Sequence, residues 1–242
     1  LTLKTYICAS GTVTTTANQT DYWRLGGNLT NNTSEGNRQV LFRSSGTLSD
    51  LYVRNTANAI AGTSTVRTRK NAANGGQSVS IGSSATGEFT DSSGSDSVSA
   101  ADKLNYQFVP GATTNTMTIT IMSCVFAATT DTITRTITTD NVTKSTASTT
   151  WYEPLSGEQG GLITTETNAK SRVRKTYTLQ NAAAHVTGNR ATTSTVRSRK
   201  NAANGNISIS ITGGGATGWY EDTTNTDTMS AGEDWNFSVT TG

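Results

Sequence analysis

Side chains able to do chemistry are few in this 242-residue chain, and their spacing selects little. His185 is the only histidine, set in "AAAHV" with no serine or cysteine nucleophile motif beside it. A histidine-based triad therefore lacks its partners, and a surface or turn position is expected. No Gly-rich phosphate loop, HExxH or CxxC occurs. Nothing singles out a carboxylate pair of the kind that cleaves glycosides. The run "DSSGSD" (Asp91 to Asp96) recurs as "DTTNTD" (Asp222 to Asp227). Loop oxygens in such runs could hold calcium, but the carboxylates are sparse, and Asx-turns at a strand connection are the preferred reading. We expect no metal, no cofactor and no enzymatic activity.

Cys8 and Cys124 are too few for a disulfide framework. Either both are small buried hydrophobes, or they pair within the chain or between neighbours. Arg67, Arg69 and Lys70 form one basic strip, and Arg197, Arg199 and Lys200 a second. The sharp reading is a surface for nucleic acid, anionic glycan or lipid. Against it stand 19 basic and 17 acidic residues, a net charge of +2. That balance disfavours a general nucleic-acid binder. It favours solvated strand faces that serve as subunit contacts, paired with acids on a neighbour such as Glu88 or Asp102. The aromatic pairs Tyr22-Trp23, Trp151-Tyr152 and Trp219-Tyr220 could stack on sugars, though such pairs more often build a core or an interface.

The elements that must position these residues are strands. "QSVSI" places Val79 and Ile81 on one face, and "NISISI" places Ile207, Ile209 and Ile211 on one face. "KLNYQFV" aligns Leu104, Tyr106 and Phe108, and "DWNFSV" aligns Trp235, Phe237 and Val239. "TMTITIM" aligns Met117, Ile119 and Ile121, and "DTITRTI" aligns Ile133 and Ile137. Such alternation buries one side of a sheet and wets the other. The one weak helical signal, "NAAAHV" at Asn181 to Val186, is too short and reads better as strand or turn.

A long internal repeat orders these strands. "TSTVRTRKNAANG" (Thr63 to Gly75) returns as "TSTVRSRKNAANG" (Thr193 to Gly205), with 12 of 13 residues identical at an offset of 130. Val66 and Thr68 share one face of this strand, Arg67 and Arg69 the other. Asn74-Gly75 and Asn204-Gly205 supply the tight turn into the partner strand. The match continues from Ala85–Gly111 to Ala216–Gly242 at an offset of 131. The expected fold is all-β: two tandem jelly-roll-like β-sandwich domains. The run "TVRTRKN…QSVSI…TGEFTD…DSVSAADKLNYQFV…TMTITIMSCVF" resembles small jelly-roll modules of the complement and tumour-necrosis-factor type. It is also similar to repeats in phage structural and bacterial surface proteins. The resemblance implies a role in assembly, as trimers, fibres or particle shells.

The copies end differently. After Gly111 the first continues into "TMTITIMSCVF", whereas the second reaches Gly242, the equivalent of Gly111. The second domain is therefore expected to lack its closing strand, leaving an open edge and groove. "LTLKTYICAS" at the N-terminus aligns with "MTITIMSCVF", Cys8 meeting Cys124. The expected organisation is an N-terminal donor strand over 1–10, a sandwich over 11–126 and a second over 127–242. The donor residues are Thr2, Leu3, Thr5, Tyr6, Ile7 and Cys8. The acceptor groove is Ile207, Ile209, Ile211, Trp235, Phe237 and Val239. Insertion into the neighbour, closure by the chain's own N-terminus, and continuation of the chain past Gly242 all remain open.

The composition is polar and near neutral, rich in Thr, Ser, Asn and Gly, and contains seven Asn-x-Ser/Thr sequons, including those at Asn28 and Asn141. No apolar run approaches a membrane span, so no membrane insertion is expected. The chain starts at Leu1, which reads as a processed chain or a segment of a longer one. The leading expectation is a self-assembling subunit of an extracellular or cell-surface filament, polymerising head to tail by donor-strand complementation with copies of itself. The alternatives are a phage virion fibre or capsid decoration protein, and a glycan-binding module.

Overall fold

The structure is a computed structural model that describes residues 4–130, 143–144, 146–155 and 163–242. The protein is all-β, with antiparallel sheets and, among the described residues, only two short 3-10 turns, Glu35–Asn37 and Glu166–Ala169. It divides into two compact units, Leu1–Thr136 and Ile137–Gly242. Thr2, Leu3, Ile133, Ile137 and the Asn141 sequon lie outside the described residues.

Unit 1 contains β1 (Lys4–Thr14), β2 (Asp21–Trp23), β3 (Gly27–Asn28), β4 (Val40–Leu41), β5 (Gly46–Asn58), β6 (Ser64–Lys70), β7 (Ala73–Ile81), β8 (Gly87–Val98), β9 (Lys103–Val109) and β10 (Met117–Ala128). One sheet runs β3-β1-β10-β5-β8. The other runs β2-β9-β6-β7, with β4 also on β9. Leu104, Tyr106 and Phe108 from β9, with Val79 and Ile81 from β7, meet Leu48, Leu51 and Val53 from β5 in a single core. Trp23 packs edge-on to Phe108, and Phe42 edge-on to Phe126, the geometry that aromatic quadrupoles favour.

Two local expectations need correction. Met117 and Ile119 point inward, but Ile121 does not share their face. The ladder between β10 and β5 slips around Ile119. One extra residue reverses the pleat, so Met122, Cys124, Phe126 and Ala128 take the core positions.

The turn after "TVRTRK" is Asn71-Ala72, not Asn74-Gly75. Lys70 pairs with Ala73, and Asn71 and Ala72 have φ of 52° and 64°. Two successive positive φ values match the right-handed twist of the flanking strands. Asn201 and Ala202 repeat the turn with φ of 47° and 67°.

Gly75 serves a different purpose. A Cβ there would lie 2.5 Å from Oδ1 of Asp96, a buried carboxylate that reaches in from β8. The hydroxyl of Thr68 donates to Asp96 at 2.6 Å, the backbone N–H of Gly76 at 2.5 Å and the amide of Gln77 at 2.9 Å.

Unit 2 contains β11 (Thr150–Pro154), β12 (Ser171–Arg172), β13 (Tyr177–Val186), β14 (Ser194–Lys200), β15 (Ala203–Ile211), β16 (Gly218–Met229) and β17 (Asp234–Thr240). Its sheet β11-β17-β14-β15, with β12 on β17, repeats the β2-β9-β6-β7 arrangement. The Asp96 cluster recurs as well. Ser198 donates to Asp227, as do the backbone N–H groups of Asn206 and Ile207, at 2.8 and 3.3 Å. "NAAAHV" is strand, within β13.

Candidate functional site

Two features of unit 2 stand apart: the edge of β13 and the outer face of β14. The first emerges from comparison with unit 1. There β5 is hydrogen-bonded on both sides, to β10 and to β8. Its counterpart β13 pairs only with β16 among the described residues. The two strands are otherwise built alike. Asp50 and Asn181 sit at matching bulges with φ of 57° and 55°. Asn58 and Asn189 each donate to two backbone carbonyls of the loop before β8 or β16. What changes is cover. Leu48, Leu51 and Val53 are completely buried, whereas Leu179, Ala182 and Ala184 at the same places are half-buried.

The expected groove residues divide. Ile207, Ile209, Ile211 and Trp235 are already buried within unit 2, and Phe237 and Val239 are half-buried. Their unit 1 counterparts Tyr106 and Phe108 are fully buried, so among the described residues the reduced cover extends to β17 as well as β13. Aligning "TLSDLYV" with "TLQNAAA" carries the signal, since it shows Leu51 and Val53 replaced by alanine.

Thr5, Tyr6, Ile7 and Cys8 do not form a separate segment. They belong to β1, which lies between β3 and β10 in unit 1 and runs antiparallel to β10, Ile7 opposite Cys124. Ile7 and Ala9 enter the core, while Tyr6 is 78% exposed. The alternation that makes this stretch look like β10 equally makes it β10's neighbour. The expected boundary at residue 10 thus falls inside β1, and β10 runs to Ala128. To act on another copy, this strand would have to leave its own sheet.

The two cysteines are not a disulfide. Both thiols are free, on adjacent strands with side chains on opposite faces, Cys8 exposed and Cys124 buried. The Tyr106 hydroxyl lies 3.5 Å from the Cys124 sulfur. Burial pushes the Cys124 thiol up to about 12. It packs as a small hydrophobe.

Arg67, Arg69, Arg197 and Arg199 face outward as the alternation requires, whereas Lys70 and Lys200 fall at the strand ends on the face that carries the buried Val66 and Thr68, Lys200 lying over the Trp235 ring. Two of the arginines have acidic partners within the chain. Arg69 takes both oxygens of Glu35 at 2.9 and 3.1 Å, and Arg199 both oxygens of Glu166 at 3.0 Å each. These fork-to-fork pairs raise both guanidinium pKa values, the hydrogen bond to the glutamate being the main cause. Lys200 pairs with Glu233 at 2.6 Å, and Lys70 donates to the Ser97 carbonyl at 2.8 Å. Arg67 and Arg197 remain without a hydrogen bond or ion pair among the described residues. Arg197 borders a cleft of about 390 Å³ on the outer face, lined by Thr150, Tyr152, Thr195, Arg199, Asn204, Ser238 and Thr240 as well.

The repeated acidic runs lie inside β8 and β16, not at a strand connection, and the first aspartate of each bonds to the backbone two and three residues on, as in an Asx-turn. Asp91 accepts from the backbone N–H of Ser93, Gly94 and Ser78. Asp222 accepts from those of Thr224, Asn225 and Ser208. The N–H of Gly94, then that of Ser78, holds the Asp91 carboxyl below its ordinary value. At Asp222 burial opposes ionisation, but the N–H groups of Asn225 and Ser208 outweigh it and hold the carboxyl far below the usual range. Of the aromatic pairs, Trp23 and Trp151 are core residues. His185 stacks on Trp219 across β13 and β16, ring centres 4.8 Å apart. No protein-family model matches the chain, and no curated protein matches it in sequence.

Proposed function

We propose that this chain is a non-enzymatic structural subunit that assembles with copies of itself through the open edge of β13, outside the cell. A strand from a neighbour completes the sheet β13-β16 as β10 completes β5-β8. The single observation behind this reading is the contrast between β5, paired on both sides, and β13, paired on one among the described residues. An edge with no second strand beside it among the described residues, flanked by half-buried Leu179, Ala182 and Ala184, is a template for strand addition. Such a contact is heterologous, so repetition gives a filament, or a closed ring where the rotation closes. The strand orders β1-β10-β5-β8 and β2-β9-β6-β7 in unit 1 support the jelly-roll reading and its link to fibre and shell proteins.

Ala184→Lys tests it. An inward charge on an edge strand blocks pairing, and a half-buried site in a single copy lets the ammonium reach water. Negative-stain microscopy and light scattering should show assemblies for the wild type and monomers for the variant. A wild type that stays monomeric at high concentration, or a variant that assembles equally well, would overturn the proposal. Discrete rings or trimers would favour a virion component over a filament.

A further inference from the structure

We propose that the cleft on the outer face of β11, β17 and β14 binds a carboxylate-bearing sugar, a hexuronate unit of an acidic glycan. The strand registers assemble it in rows. Thr150, Thr240 and Thr195 lie side by side, then Tyr152, Ser238 and Arg197, with Arg199 and Asn204 beyond. Arg199 is neutralised by Glu166. Arg197 is therefore the one charge in the lining without a partner among the described residues. A guanidinium offers a planar pair of donors that fits a carboxylate.

The remaining groups define the rest of the ligand. They are hydroxyls from threonine, serine and tyrosine and one amide, groups of the kind that exchange hydrogen bonds with ring hydroxyls; Thr150 and Thr240 also bond one another at 2.9 Å, and the Asn204 oxygen accepts from Arg199 at 2.5 Å. The volume sits near the lower bound for a ligand site, suited to one sugar ring. The lining holds no aliphatic, phenylalanine or tryptophan side chain, so apart from the Tyr152 ring its contacts are polar. One net positive charge is also too little to hold a polyphosphate.

Unit 1 provides an internal control. Arg67 stands where Arg197 does, but Gln107 replaces Ser238 and Val109 replaces Thr240. Gln107 donates to the Tyr22 hydroxyl at 3.2 Å, occupying it. The arginine is retained, with Tyr22 and Thr65 in the places of Tyr152 and Thr195, but the hydroxyls of Ser238 and Thr240 are gone.

The test is titration of the full chain with glucuronate, glucose and acetate, followed by NMR shifts and calorimetry. Glucuronate should bind saturably in the millimolar range, and more tightly than either comparator. Arg197→Met should weaken it at least about tenfold, and Arg67→Met should leave it unchanged. Near-UV circular dichroism checks that both variants fold. The proposal is overturned by no saturable glucuronate binding, by equal binding of glucose, or by unchanged binding by the folded Arg197→Met chain. Acetate binding as tightly as glucuronate would also overturn it, because the cleft would then be a plain carboxylate site of the kind a protein side chain fills.

Discussion

Gly75→Ala probes the buried carboxylate under the repeated strand. The new methyl would sit 2.5 Å from Asp96 Oδ1, well inside van der Waals contact. Its other near neighbour is the Thr68 hydroxyl, which is itself bonded to Asp96. Neither atom belongs to a long flexible side chain, so the carboxylate must withdraw from donors now at 2.5 to 2.9 Å. A hydrogen bond to a charged group contributes about 1.5–3 kcal/mol. Losing one fully and stretching a second costs about 3 kcal/mol on that scale. Relief of glycine's unfolded-state entropy returns about 0.5–1 kcal/mol. The expected net loss is about 2 kcal/mol, a fall of roughly 10 °C in the melting of unit 1. Urea and thermal unfolding, followed through Trp23, read it directly. Gly36→Ala, where nothing lies within 4 Å of the added carbon, is the control, and it should stay within about 0.5 kcal/mol of wild type. A Gly75→Ala chain that matches that control would refute the packing argument.

Leu48→Ala should cost about 3 kcal/mol in unit 1, whereas Leu179→Ala, half-buried at the matching position, should cost less than half as much in the monomer. Once a strand covers β13, the Leu179 cost should rise toward the Leu48 value, which thermal melts of assembled and dispersed protein compare. Asp91 and Asp222 have folded pKa values below the ordinary 3.8. Their stabilisation is therefore complete above that value and is lost as pH falls below it. Acid titration should show both units weakening below about pH 4, and Asp222→Asn should flatten that acid limb for unit 2 alone. Glu166→Gln removes the charge opposite Arg199 at a partly exposed pair; its effect on unit 2 melting should be under about 1 kcal/mol and shrink with salt.

Much of the fold is legible in the sequence because period-2 alternation is a local signal. The faces of β6, β7, β9, β15 and β17 follow directly from their apolar residues. The failures have a common cause in single-residue irregularities. A slip near Ile119 reverses β10, and a two-residue turn displaces Asn74-Gly75 into β7. Neither alters composition, so neither shows in a pattern of residue types. The contrast between β5, paired on both sides, and β13, paired on one among the described residues, shows only when one copy is set against the other. The Glu35 and Glu166 partners were invisible because they lie 34 and 33 residues from their arginines, on 3-10 turns that no periodicity announces. The free state of Arg197 depends on that same pairing.

The unlike surroundings of the two thiols have a practical consequence. Cys124 is buried and held protonated, while Cys8 stands on the outer face of β1. Alkylating reagents attack the thiolate, so the native chain has one addressable sulfur. A fluorophore or heavy atom placed there marks every copy once, at a known strand, without any substitution. Counting those marks along an isolated particle would give its subunit number, and their spacing would give the rise from one copy to the next.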